Sequence, residues 1–218
     1  MNEIFFEIPV EHLRVAYDML RVKADKTCWD YAEINNGYLT VTDGVRLFRA
    51  PVKQYIEGRR LMCLSDVKKV LEEFQGRDAA WVAECDLRRS LFWARKIDGT
   101  PMLELAAGVE RHFLSPTERK RLFGGLTRKS KYLCLEFGET TQSYHVGHDE
   151  KDNTLPQQIW DHAIVSDSRF YDSNLLKSFC YLKSDSVGFM PLEGSLSIVL
   201  HQDKTGAIAV LAGMKLKV

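Results

Sequence analysis

Apolar and polar positions along this chain keep switching between a period of two and a period near 3.6. EIFFEIP, residues 3–9, is apolar and aromatic-rich and predicts a short strand. From Val10 the period lengthens: Val10, Leu13, Tyr17 and Leu20 share one stripe, and Glu11, Arg14, Asp18 and Arg21 take the opposite one. That is an amphipathic helix. Strand patterns follow at 29–35, 37–42, 45–51 and 59–64. Ser65-Asp66 then offers an N-cap with an acid in the first turn, Val67, Val70, Leu71 and Phe74 mark a second helix, and Gly76 closes it. Further strands are predicted at 79–85, 90–96 and 101–107.

The second half repeats the scheme. Ser115-Pro116-Thr117-Glu118 is a capping box with proline at the first helical position, and Gly124-Gly125 ends that helix. Strands are expected at 131–137, 141–147 and 158–165, with 148–156 a polar loop. Asp172-Ser173 caps a fourth helix with Leu175, Leu176, Phe179 and Leu182 on its apolar face, before strands at 186–191, 195–201 and 207–216. One helix followed by about three strands thus recurs with a period of ~55 residues. Consecutive strands call for antiparallel sheets joined by hairpins, so the expected class is α+β. Two pseudo-repeats per domain divide the chain into 1–109 and 110–218.

One hairpin has an odd centre. In INNGYLTVTDGVRLFRAPV, residues 34–52, Asp43-Gly44 turns the chain between alternating runs. A threonine and a Val-Arg-Leu run flank the turn where bland surface residues would serve. The segment TDGVRL resembles the T-D-G-H-R-L of the bacterial DNA sliding clamps, the DNA polymerase III beta-subunit family, with Val45 in place of histidine. SRFYDSNLLKSFCYLKSDSVGFMPLEGSLSIV, residues 168–199, is similar to that family's final helix and hairpins, and AVLAGMKL sits where those clamps end in V-V-M-P-M-R-L. The resemblance covers nearly the whole chain in pattern but only these segments in letters.

The resemblance implies a clamp fold: two domains, each of two β-α-β-β-β repeats, with antiparallel sheets and the helices on one side. It implies a ring around duplex DNA that acts as a polymerase processivity factor. The two lettered segments would form an apolar pocket for partner peptides, with Thr42, Gly44, Val45, Arg46 and Leu47 in one wall and Val210, Gly213 and Met214 in the other. A glycine turn admits a partner's backbone, valine and leucine offer an anchor surface, and methionine adapts its shape. Without the resemblance, the hairpin reads as ordinary and its Val and Leu as core. Bacterial clamps have three domains per chain and this chain has room for two, as in clamps where three chains complete the ring. A homotrimer is therefore the leading expectation, with a dimer the alternative. Ala212-Gly213 replaces the family's Met-Pro and removes bulk from the pocket, and Lys217-Val218 extend beyond the usual end. The expected partners are duplex DNA held through its phosphates, a DNA polymerase and other clamp-binding peptides, and a clamp loader.

Charge totals name no partner, because 30 basic residues balance 30 acidic ones. Any electrostatic role must come from segregation. The helices carry Arg14, Arg21 and Lys23, then Lys68 and Lys69, then Arg119, Lys120 and Arg121 with Arg128 and Lys129 beyond, and finally Lys177. Glu11, Asp18, Glu72, Glu73 and Glu118 intrude among them. Such faces can hold DNA loosely without reading bases, which suits sliding. They can equally be ordinary solvated helix faces.

Five scattered cysteines, Cys28, Cys63, Cys85, Cys134 and Cys180, form no C-x-x-C pair and point to a reducing, cytoplasmic location. No stretch reaches the ~18 to 20 apolar residues of a membrane span, and the N-terminus lacks a signal-peptide pattern. His145-x-x-His148 with Asp149, Asp152 and His162 invites a metal site, but on a strand that spacing puts the imidazoles on opposite faces. No nucleophile elbow, Walker loop or dinucleotide fingerprint is present. Trp29, Trp81, Trp93 and Trp160 lie in strand-like segments and are expected in the core. The expectation is a non-enzymatic protein without cofactor or metal. The alternative to a ring is a clamp-fold peptide-binding module, or decoy, that modulates replication without encircling DNA.

Overall fold

A computed structural model describes residues 4–22, 30–55, 57–83, 88–89, 112–113, 123, 130–136, 142–147, 168–182, 187–191, 198–202 and 205–213. The elements of the first half are β1 (Ile4–Pro9), α1 (Val10–Arg21), β2 (Tyr31–Asn35), β3 (Tyr38–Thr42), β4 (Arg46–Pro51), β5 (Lys53–Gln54), β6 (Arg60–Cys63), α2 (Leu64–Glu73), β7 (Ala79–Ala83) and β8 (Arg88–Arg89). The second half gives β9 (His112–Phe113), β10 (Ser130–Glu136), β11 (Gln142–Gly147), β12 (Ser168–Asp172), α3 (Ser173–Leu176) running into a 3-10 helix (Lys177–Tyr181), β13 (Val187–Pro191), β14 (Ile198–Gln202) and β15 (Ala207–Leu211). All pairings among the described strands are antiparallel. The class is α+β.

Two βαβββ units stand out, β1-α1-β2-β3-β4 and β12-α3-β13-β14-β15. Their last strands, β4 and β15, pair with each other inside a nine-stranded sheet ordered β8-β6-β2-β3-β4-β15-β14-β13-β9. Two three-stranded sheets, β5-β1-β7 and β11-β10-β12, complete the described set. Helix α1 packs on β2, β3 and β4 and lies beside both α2 and the 3-10 helix. The face of the large sheet toward the helices carries Leu39, Val41, Phe48, Ala50, Ile198, Leu200, Ala209 and Leu211, which belong to one buried cluster with Leu13, Ala16, Leu176 and Phe179. Front and back halves thus share a continuous core.

Several boundaries differ from the sequence reading for local reasons. The two-residue turn lies one hairpin early, at Asn36-Gly37, where φ is 50° and 76° and Asn35 pairs with Tyr38. Left-handed φ at both central residues is the demand of the tightest hairpin, and Asn-Gly meets it. Helix α2 begins before Ser65: Cys63 occupies the cap position and its N–H donates to Asp66 Oδ2 at 2.8 Å. Asp172 caps α3 as expected, accepting from Asn174 N at 2.7 Å and Leu175 N at 3.3 Å, but the α-turns give way to the 3-10 helix after Leu176. Strand β12 has no counterpart in the sequence reading. Asp18 is buried despite its place on the polar stripe of α1, because the 3-10 helix of the back half packs over that stripe. The helix expected at 115 onward, with its Gly124-Gly125 end, and the strands at 90–96, 101–107 and 158–165 fall outside the described residues, apart from a helical Phe123.

Candidate functional site at the junction of hairpin and tail strand

The Asp-Gly turn is wider than two residues. Thr42 pairs with Leu47 and encloses four residues, of which Asp43, Gly44 and Val45 lie between β3 and β4. Gly44 takes a φ of 86°. Asp43 N donates to Arg46 O at 3.2 Å, and side chains add to that single backbone bond: Thr42 Oγ1 donates to Arg46 O at 2.7 Å and accepts from Gly44 N at 3.2 Å. Asp43 Oδ1 accepts from Val45 N at 3.1 Å and from Arg46 N at 2.7 Å. The threonine, aspartate and arginine around the glycine therefore build the turn from within, in the manner of an Asx turn.

Arg46 is only 1% exposed. Its Nε and Nη2 donate to Asp43 Oδ2 at 2.8 and 2.6 Å, Nη1 donates to Leu175 O at 3.1 Å and Ser178 Oγ at 2.5 Å, and Nη2 also donates to Val22 O. A buried guanidinium survives only with its charge and donors matched. The sequence reading placed Arg46 in the wall facing a partner; the structure turns its side chain inward, to the end of α1 and to the back-half helices.

Strand β15 lies directly alongside. Val210 pairs with Leu47, Leu211 with Arg46, and Ala212 N donates to Val45 O at 3.0 Å, extending the ladder past the strand end. Thr42, Leu47, Val210 and Val199 stand in register across β3, β4, β15 and β14, on the face away from the helices. Leu47 and Val210 are nearly covered, at 9% and 3%. Gly44 is exposed, and Thr42, Val45, Ala212 and Gly213 are half-buried. The accessible apolar strip therefore centres on Val45, which packs partly against the buried cluster, and on Ala212 and Gly213, while Leu47 and Val210 are nearly covered. Met214 lies outside the described residues. Nothing in the sequence alone separated the accessible Val45 from the covered Leu47, since both alternate in the same run.

The basic residues of the helices are partly neutralised. Arg21 Nη2 meets Asp18 Oδ1 at 3.0 Å, and its guanidinium lies 5.9 Å from the Tyr17 ring centre. Lys68 meets Glu72 at 3.6 Å across one helical turn. Arg14 lies 5.9 Å from the ring centre of Tyr181, so it spans from α1 to the back half. Lys69 is exposed and Lys177 half-buried. Lys23, Arg119, Lys120, Arg121, Arg128 and Lys129 lie outside the described residues. Burial raises the Tyr181 hydroxyl above its ordinary pKa, and the Asp18 carboxylate adds to the shift.

Among the described residues no group of three His, Cys, Asp or Glu side chains could hold a metal ion. His145 pairs with Leu133 in β10, while His148, Asp149, Asp152 and His162 are not among those residues. Trp81 corrects another expectation: it is 39% exposed on β7, with the Phe74 ring centre 5.8 Å away, because β7 turns that position away from α1. Trp29, Trp93 and Trp160 are outside the described residues. No described helix is long and apolar enough to cross a membrane.

No protein-family model matches the sequence, and no curated protein matches it in letters. Solved structures do match it in shape. A sliding clamp (DNA polymerase III subunit beta) from Pseudomonas aeruginosa bound to griselimycin superposes with a TM-score of 0.57 at 13% identity, over 99% of this chain and 66% of that one. Another structure of the DNA polymerase III subunit beta from Pseudomonas aeruginosa gives 0.55 at 11% identity, over 98% and 67%. A structure described as a DNA polymerase III beta subunit from Eubacterium rectale gives 0.57 at 8% identity, over 99% and 67%. The chain spans about two thirds of the length of these proteins. With βαβββ units, antiparallel sheets and an edge-strand junction of this kind, this chain has the fold of the DNA sliding clamps.

Proposed function

We propose that the protein is a sliding-clamp-type processivity factor, a non-enzymatic ring around duplex DNA that recruits a polymerase and other partners through the Val45–Gly213 strip. The observation that carries this reading is the pairing of β4 with β15, which sets the TDGVRL turn beside the tail strand within a clamp fold. On this reading the chain contributes two clamp domains, 1–109 and 110–218, and three chains close the ring. Arg14, Arg21, Lys68, Lys69 and Lys177, with Lys23 and the Arg119-Lys120-Arg121 run, face phosphates, and a clamp loader opens the assembly in the cytoplasm.

A second reading is favoured by the ion pairs Arg21–Asp18 and Lys68–Glu72 and by the balanced charge of the chain. Self-neutralised helices attract phosphates less, and a peptide-capturing module would need no DNA at all. Sedimentation separates the two. A ring-sized oligomer that is retained on circular DNA and released as salt rises supports the clamp; a monomer at micromolar concentration with no retention supports the module.

The strip is tested with griselimycin, which is bound in one of the Pseudomonas aeruginosa structures. Val45→Asp places a charge where an apolar anchor would sit and is expected to weaken griselimycin by about 30-fold, in the range of a hot-spot loss. Equal affinity in the variant and the original protein removes the strip from the binding site.

A further inference from the structure

The Arg46 side chain has no donor left for a partner. A guanidinium carries five N–H groups, and all five are spent: one from Nε on Asp43, two from Nη1 on Leu175 O and Ser178 Oγ, and two from Nη2 on Asp43 and Val22 O. The groups so joined come from three places. Asp43 shapes the turn, Val22 ends α1, and Leu175 and Ser178 belong to the back half.

We propose that Arg46 is a positioning residue: by fastening Asp43 to the end of α1 and to the back-half helices, it sets the 42–47 turn against β15 and so fixes the strip that a partner meets. Asp43 divides its carboxylate, with Oδ1 on the amides of Val45 and Arg46 and Oδ2 on the guanidinium. The position of Oδ2 therefore dictates where Oδ1 holds the Val45 amide. Val45 O in turn accepts from Ala212 N, so the two sides of the strip keep their spacing through the same chain of bonds. Lysine cannot substitute, because an ammonium has three donors and no planar fork. The part of the inference concerning a partner rests on the clamp reading above.

The test compares Arg46→Lys, Asp43→Asn, their double variant, and the milder Ser178→Ala, which leaves the ion pair intact and keeps the question open to measurement if the others fail to fold. Amide hydrogen exchange is followed at Val45 and Arg46, and griselimycin affinity is measured alongside. A positioning role predicts that exchange at those two amides rises about tenfold in Arg46→Lys and about threefold in Ser178→Ala, while core amides of β3 stay protected. It also predicts that Arg46→Lys and Asp43→Asn weaken griselimycin to the same degree and that the double variant loses no more than either, because both break one unit. Unchanged exchange in both Ser178→Ala and Arg46→Lys overturns the proposal. So does a loss of affinity in Arg46→Lys with none in Asp43→Asn, since Arg46 would then be touching the ligand. If griselimycin fails to bind the unaltered protein, the strip assignment falls, and the exchange measurements still decide whether Arg46 sets the turn.

Discussion

Buried arginine is the least expected residue in this fold. Arginines sit mostly at the surface, so Arg46 in an alternating run reads as exposed, and only its spacing of three from Asp43 hinted at a paired role. That hint is weak, because it needs acceptors from Val22, Leu175 and Ser178 that lie far away in sequence. The asymmetry of buried pairs gives a prediction. Arg46→Met removes the charge and leaves the Asp43 carboxylate buried, which is expected to cost ~3–5 kcal/mol in urea unfolding. A loss below ~1 kcal/mol would place the pair in the range of exposed salt bridges instead. Glycine is easier to read. Gly37 and Gly76 have φ of 76° and 78°, and an added Cβ would meet only Val52 O at 3.8 Å in the first case and nothing within 4 Å in the second. Both sites lack a clash and share the strained backbone, so Gly37→Ala and Gly76→Ala should each destabilise by ~1 kcal/mol. A large difference between them would show that something besides φ is at work.

At the scale of elements, local signals decided what could be read. Amphipathic α1 and the strands β2, β3, β4 and β6 appear within two residues of their sequence-read limits, because burial on one face enforces the period. Strand β12 carries little signal of its own because its five residues run straight into the Asp172 cap, and the cap masks the alternation before it. The start of α2 slipped because Ser65 is a better cap by type, yet the bond that closes the first turn runs from Cys63 N to Asp66. Thermal or urea unfolding tells the two apart. Asp66→Ala and Asp172→Ala should each cost ~1 kcal/mol, and Ser65→Ala should lie near zero, since the capping interaction does not depend on its hydroxyl for the backbone amides. A Ser65 effect larger than that of Asp66 would restore the sequence-read cap.

The whole molecule depends on how the halves meet, and this was legible only through the family resemblance, since no periodicity tells β4 to choose β15. Three layers hold the junction: the β4–β15 ladder, the Arg46 cluster, and the packing of α1 against the 3-10 helix. The third layer carries a titration. Burial, aided by the nearby Asp18 carboxylate, raises the Tyr181 hydroxyl above its ordinary value near 10, so the folded state keeps that proton longer than the unfolded chain does. Burial raises Tyr31 likewise, in β2. A raised acid favours folding fully below the unfolded pKa, and that contribution disappears as pH climbs through the folded one. The urea midpoint should therefore hold level up to pH about 9.5 and decline beyond about 10, where ordinary tyrosine ionises. Tyr181→Phe keeps the ring beside Arg14 and removes the proton, so its decline should be shallower than that of the unaltered protein. If the two slopes coincide, the Tyr181 hydroxyl does not couple ionisation to the junction, and the two halves are held by the ladder and the Arg46 cluster without it.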